Sequence, residues 1–109
     1  MVKKFEKGDI ILVDFDPHAG HEQSGRRPAI VISNVFFNQK TAFVVACPIT
    51  SKHREHPLHI QLDERTKTQG TVMIEQLKSI DIEARNARFL ERIPDDLLEE
   101  ITDIVSECF

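Results

Sequence analysis

The chain has 109 residues, of which 40% are hydrophobic and 29% charged, with a formal net charge of −4. That size and balance fit one soluble globular domain over residues 1–109, with a core large enough to need no staples. No segment approaches the length of a membrane span, and Met1 to Lys7 carry no signal-peptide apolar region, so a cytoplasmic protein with no membrane partner is expected.

The first element follows a Gly8-Asp9 turn signal: Ile10 to Phe15 is rich in β-formers, and Asp16-Pro17 stops it. A polar loop comes next, and His21 to Arg27 hold an imidazole, a carboxylate, an amide, a hydroxyl and two guanidiniums. Ala29–Ser33 then reads as a buried strand. Asn34 to Lys40 is predicted to form a helical turn capped by Asn34 or Ser33. Thr41 to Thr50 is almost continuously apolar, as expected of a central strand covered on both faces. Within it lies Cys47; it and Cys108 lack metal or redox spacing and are expected to pack as small hydrophobes. Pro57 to Asp63 alternates, with Leu58, Ile60 and Leu62 inward and His59, Gln61 and Asp63 outward. Gly70 to Asp81 reads as one strand, Ile80 to Ala87 as a short helix capped by Asp81, and Arg88 to Ile93 as a final strand.

Pro94 and two acids then start an amphipathic helix. Leu97, Leu98, Ile101, Ile104, Val105 and Cys108 form its apolar stripe, and its first-turn acids suit the positive end of the helix dipole. Residues 95–109 carry six acids and no Lys or Arg, leaving 14 basic against 12 acidic residues in 1–94. The overall negative charge therefore does not exclude a polyanionic partner; any basic surface is local. Together the elements predict a mainly β protein, a small antiparallel barrel or curled sheet with a C-terminal amphipathic helix.

Several side chains could carry chemistry. Arg27 precedes Pro28, which biases it to extended backbone at a loop–strand junction. A guanidinium held there can clasp a phosphate with two parallel N–H bonds, or can pair with Glu22 or Asp16. Arg26 points the other way in an extended chain. Thr50 ends the central strand, where its hydroxyl can donate to a phosphate oxygen or cap its own turn; Ser51 has the same two roles. His21 and Glu22 are candidate proton carriers. Glu75 and Gln76 fall in mid-strand, as edge solubilisers or as part of a site. His53, His56 and His59 recur every third residue, but Pro57 interrupts them and an extended chain turns His56 away from the other two. No metal site and no cofactor are expected, and no P-loop, GxGxxG or GxSxG is present. Phe36, Phe37 and Phe43 are assigned to the core.

Three stretches, "GDIILVDFDPHAGHEQSGRRPAIVIS", "VVACPITS" and "EQLKSIDIEARNARFLERI", together resemble the MazF/PemK family of toxin ribonucleases in order and spacing, over nearly the whole chain. The resemblance implies an SH3-like barrel shared with the CcdB toxin, acting as a homodimer. It implies metal-independent cleavage of single-stranded RNA, chiefly mRNA, by attack of the ribose 2′-OH, leaving a 2′,3′-cyclic phosphate and a 5′-hydroxyl. A cognate antitoxin with an acidic, apolar-studded segment would neutralise it. Arg27 and Thr50 fall on members of the family's catalytic set. Glu22 and His21 match its loop acid and the histidine that some members use. Gln76, Lys78 and Ser79 fall in a segment near the RNA groove, with Glu75 and Ser51 beside the matched elements. Some members carry an aspartate proposed as the base where this chain has Glu75, and an arginine where it has Met73, so the base stays open among His21, Glu22 and Glu75. The alternative within the same fold is a non-enzymatic toxin that poisons DNA gyrase. That branch is expected to act through a C-terminal Trp-Gly-Ile, whereas this chain ends Ser106-Glu107-Cys108-Phe109.

Overall fold

The computed structural model describes residues 4–14, 26–52 and 55–109. Within them the chain forms β1 (Asp9–Asp14), β2 (Arg26–Val31), α1 (Val35–Thr41), β3 (Phe43–Thr50), β4 (His59–Gln61), β5 (Thr71–Met73), a 3-10 turn (Ile74–Gln76), β6 (Lys78–Asp81), β7 (Arg88–Arg92) and α2 (Asp95–Cys108). The strands make a seven-stranded antiparallel sheet in the order β4-β5-β3-β2-β1-β7, with β6 also on β3.

β3 organises the sheet because it changes partner along its length. Phe43 to Ala46 pair with β6, and Ile49 and Thr50 pair with β5. Its alternating side chains feed two cores. Cys47 and Ile49 join Ile10, Ile30, Val72, Ile74, Leu97 and Ile101. Val44 and Ala46 join Ile11, Val13, Ala29, Val31, Ile80 and Ile82. This double burial explains why β1, the apolar part of β2 and β3 read as near-continuous apolar runs rather than as alternation. α2 covers the first core through Leu97 and Ile101, with Leu98, Ile104 and Val105 packed at its edge.

Local chemistry sets the element ends. Asn34 caps α1 by accepting from the Phe37 N–H at 3.0 Å, as expected, and the helix runs seven residues rather than one turn. The buried Asn38 amide donates to the Phe5 carbonyl at 2.7 Å, tying α1 to the N-terminal segment. Burial, with the charge of Glu75 adding to it, pushes the Cys47 thiol up to about 12, so it stays protonated as an inert packing group.

Four expectations are corrected. The stretch from Gly70 to Asp81 is two strands separated by the 3-10 turn, so Glu75 and Gln76 do not follow strand alternation. Residues 82–86 form a turn, not a helix, although Asp81 does accept the Ala84 N–H at 2.9 Å. Phe36, Phe37 and Phe43 are not core: they are 70%, 37% and 37% exposed. Cys108 is exposed on the last turn of α2, beyond the reach of either core.

Candidate functional site

The β2–β3 register sets the central geometry. Ala29 pairs with Pro48 and Ile30 with Cys47. Continued two residues toward the strand ends, the same register brings Arg27 opposite Thr50. The two residues line one cleft of about 500 Å³ with Arg26, Pro28, Ile49, Ser51, Lys52 and Gln69. Three of these eight side chains are cationic and none is acidic. Such a cleft concentrates positive potential and suits a polyanion.

The two arginines differ in what holds them. Arg26 donates to Asp14 Oδ1 at 2.8 Å and to the Asn86 carbonyl at 3.1 Å, so it braces β1 against the 82–86 turn. Among the described residues no hydrogen bond or ion pair engages the Arg27 guanidinium. Glu22 and Asp16, the partners considered for it, lie outside the described residues, as does His21. The Thr50 hydroxyl accepts the Lys52 N–H at 3.2 Å. One of its two lone pairs is thus used, and among the described residues no acceptor takes its proton.

The loop from Asp63 to Gly70 brings Gln69 to the cleft's wall. Arg65 links Asp63 to Asp96 at the start of α2, at 2.9 Å each, and these bonds hold both carboxyls below the usual carboxylate range. Glu91 accepts the Thr68 N–H at 2.7 Å, the Thr68 hydroxyl at 2.7 Å and the Lys67 N–H at 3.1 Å, next to Gln69. Burial raises the Glu91 carboxyl, but these bonds outweigh it and the group ends below its usual range. Because the folded-state pKa is depressed, the stabilisation is complete above the unfolded value of about 4.3 and is lost as pH falls through the folded value. Glu91→Gln is therefore expected to lower stability by about 1–2 kcal/mol at neutral pH. Urea midpoints of parent and variant should converge at pH below the carboxylate range.

Gly70 closes the wall against β3. Its φ is +137°, and a Cβ there would lie 2.5 Å from the Thr50 carbonyl oxygen. Only glycine permits both that dihedral and that approach.

The other expected residues lie elsewhere. Lys78 and Ser79 are on β6, paired with Ala46 and Val45, so Lys78 is four residues along β3 from Thr50, or roughly 13 Å. Glu75 and Gln76 are on the 3-10 turn. The structure thus groups Arg27, Thr50 and Ser51 and separates them from Glu75, Gln76, Lys78 and Ser79. Burial raises the Glu75 carboxyl, but its hydrogen bond from His59 and the nearby imidazoles win, leaving it below its usual range and a weak base. Sequence reading places Lys52 and Gln69 in the loops Ser51–Pro57 and Asp63–Gln69, where substrate specificity is expected, but singles out neither residue. Lys52 directly follows the Thr50-Ser51 pair and was legible from it. Gln69 and Gly70 arrive through a loop whose path no pattern encodes.

The cation-lined cleft sits at strand ends of an antiparallel sheet, and the whole is a protein of small β architecture. The chain belongs to the family of PemK-like, MazF-like toxins of type II toxin-antitoxin systems, which it matches over residues 6–109. It is 42% identical over 110 residues to the endoribonuclease toxin ChpB of Escherichia coli K12, covering 92% of this chain and 91% of that protein. It is 38% identical over 100 residues to the Escherichia coli endoribonuclease PemK, covering 88% of this chain and 75% of that protein. Its fold is similar to that in a crystal structure of MazE-MazF from Deinococcus radiodurans, at a TM-score of 0.88 and 33% identity, covering 97% of this chain and 96% of that one. No helix among the described residues is long and apolar enough to cross a membrane.

Proposed function

We propose that this chain is an endoribonuclease toxin that cuts single-stranded RNA, chiefly mRNA, in the cytoplasm without a metal ion, and that a cognate antitoxin silences it. The observation that carries this reading is the cation-lined cleft shared by Arg27 and Thr50. The naming of the ChpB and PemK relatives as endoribonucleases supports it.

In this reading the ribose 2′-oxygen attacks the adjacent phosphorus as the bond to the 5′ oxygen breaks. A 2′,3′-cyclic phosphate and a 5′-hydroxyl remain. Negative charge grows on the non-bridging oxygens in the transition state. The Arg27 fork and the Thr50 O–H donate to those oxygens more strongly there than in the ground state. With Glu75 occupied by His59, His21 and Glu22 are the residues assigned to move the 2′-OH proton and to protonate the leaving oxygen. Ser51, Lys52 and Gln69 hold the strand at the cleft. Glu75, Gln76, Lys78 and Ser79 extend its track along the sheet.

The active form is a homodimer in this proposal. Phe36, Phe37 and Phe43 give the apolar surface for it, and the Lys40 ammonium lies 5.6 Å from the Phe36 ring centroid. The antitoxin would bring an acidic, apolar-studded segment to the cationic cleft. The test is digestion of a defined RNA with EDTA present, followed by mapping of the ends. Cyclic phosphate and 5′-hydroxyl termini are expected, and a 2′-deoxy residue at the cut site should abolish cleavage. Unchanged cutting of the deoxy substrate, or dependence on a divalent ion, would refute the mechanism.

A further inference from the structure

Outside the cleft, among the described residues, one cluster of side chains has the composition of a metal site. The turn at Pro57-Leu58 folds the chain back, with the His59 N–H donating to the His56 carbonyl at 3.0 Å. This reverses the extended-chain expectation that His56 faces away: the two imidazoles stack with centroids 4.4 Å apart and planes 21° apart. Nor does His59 point outward, since its side chain is only 4% exposed. Its Nε2 lies 3.0 Å from each Glu75 carboxylate oxygen. Its Nδ1 is buried and has no hydrogen-bond partner among the described residues. The Ile74 N–H donates to the Leu58 carbonyl at 3.1 Å, so the histidine turn and the 3-10 turn bearing Glu75 are clamped together. One ligand atom from each of His56, His59 and Glu75 lies within 4.8 Å of the others.

We propose that His56, His59 and Glu75 bind a divalent transition metal of the zinc class, with water as a fourth ligand. Two imidazoles and a carboxylate are donors such ions prefer, whereas Mg²⁺ and Ca²⁺ favour oxygen-rich shells. Metal–nitrogen and metal–oxygen bonds of about 2.0–2.2 Å at a tetrahedral angle separate the two donor atoms by roughly 3.4 Å. The His59–Glu75 gap of 3.0 Å needs to widen by only a few tenths to admit the ion in place of the shared proton. Stacked rings cannot both aim in-plane lone pairs at one point, so His56 must leave the stack. It is exposed, and among the described residues its ring makes one hydrogen bond, accepted at Nδ1 from the Leu58 N–H at 3.1 Å, so the swing costs little. The site differs from the cleft and does not depend on the reaction assigned there.

The test is titration of the chelator-treated full chain with Co²⁺, read by its visible absorption, then displacement by Zn²⁺. One equivalent of Co²⁺ is expected to bind the parent. His56→Ala and Glu75→Gln should each weaken binding by at least about tenfold, no less than loss of an outer-shell partner does. Both replaced side chains are exposed, and circular dichroism checks that the variants fold without metal. Absence of stoichiometric binding by the parent, or weakening of less than about tenfold in either variant, overturns the proposal.

Discussion

Arg27→Ala is expected to slow RNA cleavage by about 10²–10³, the size of effect seen when one donor to a developing oxyanion is removed. The loss should fall mainly on kcat, with KM changing less, because the fork acts most strongly on the charge added in the transition state. Stability should hardly change. Among the described residues the Arg27 guanidinium has no partner to lose, and only the backbone of β2 is part of the sheet. Arg27→Lys separates charge from geometry. A lysine keeps the cation but not the two parallel donors, so it should recover part of the rate and not all of it. Single-turnover cleavage of a short RNA, with thermal unfolding of each variant alongside, is the measurement. Parent-like cleavage by the alanine variant would remove Arg27 from the mechanism.

Gly70→Ala is expected to produce the largest loss of stability from one added methyl group. A side chain at φ +137° is strained by about 1–3 kcal/mol. The new Cβ would also press on the Thr50 carbonyl at 2.5 Å and on Ile49 Cγ2 at 2.9 Å. Overpacking of this kind costs another 1–3 kcal/mol or so. The sum, about 2–6 kcal/mol, should lower the thermal midpoint by roughly 10 °C or more for a chain of this size. Cleavage should fall even at temperatures where the variant is fully folded. The displaced carbonyl belongs to the residue whose hydroxyl faces the cleft. Denaturant titration and cleavage assays at low temperature read the two effects apart.

The elements that the sequence made legible are those dictated by continuous apolar pattern or by punctuation. β1, β2 and β3 were readable because a strand covered on both faces admits little besides Ile, Val and Ala. α2 was readable from Pro94, its first-turn acids and its stripe. The Arg27–Thr50 meeting was proposed from family resemblance, and strand register supplies its physical basis. Other features depend on tertiary contacts without a local signature. Phe36, Phe37 and Phe43 have core composition but stand exposed, because α1 and the start of β3 turn them away from both cores. The 3-10 turn at Ile74–Gln76 interrupts a segment whose composition suits unbroken strand. His59 is screened by His56, which a turn returns to it; a period of three, read on an extended chain, pointed the other way.

The partner change along β3 has a consequence for how the molecule yields. The β4–β5 ribbon is joined to the rest of the sheet by just two residue pairs, Ile49 with Val72 and Thr50 with Thr71. β2, by contrast, pairs with β1 at five positions and with β3 at three. Local opening free energies follow such differences in attachment. The seam at Thr50 and Thr71 is therefore where the sheet parts at least cost, and the groove beside it can gape for a long flexible chain while the ladder beneath Arg27 stays shut.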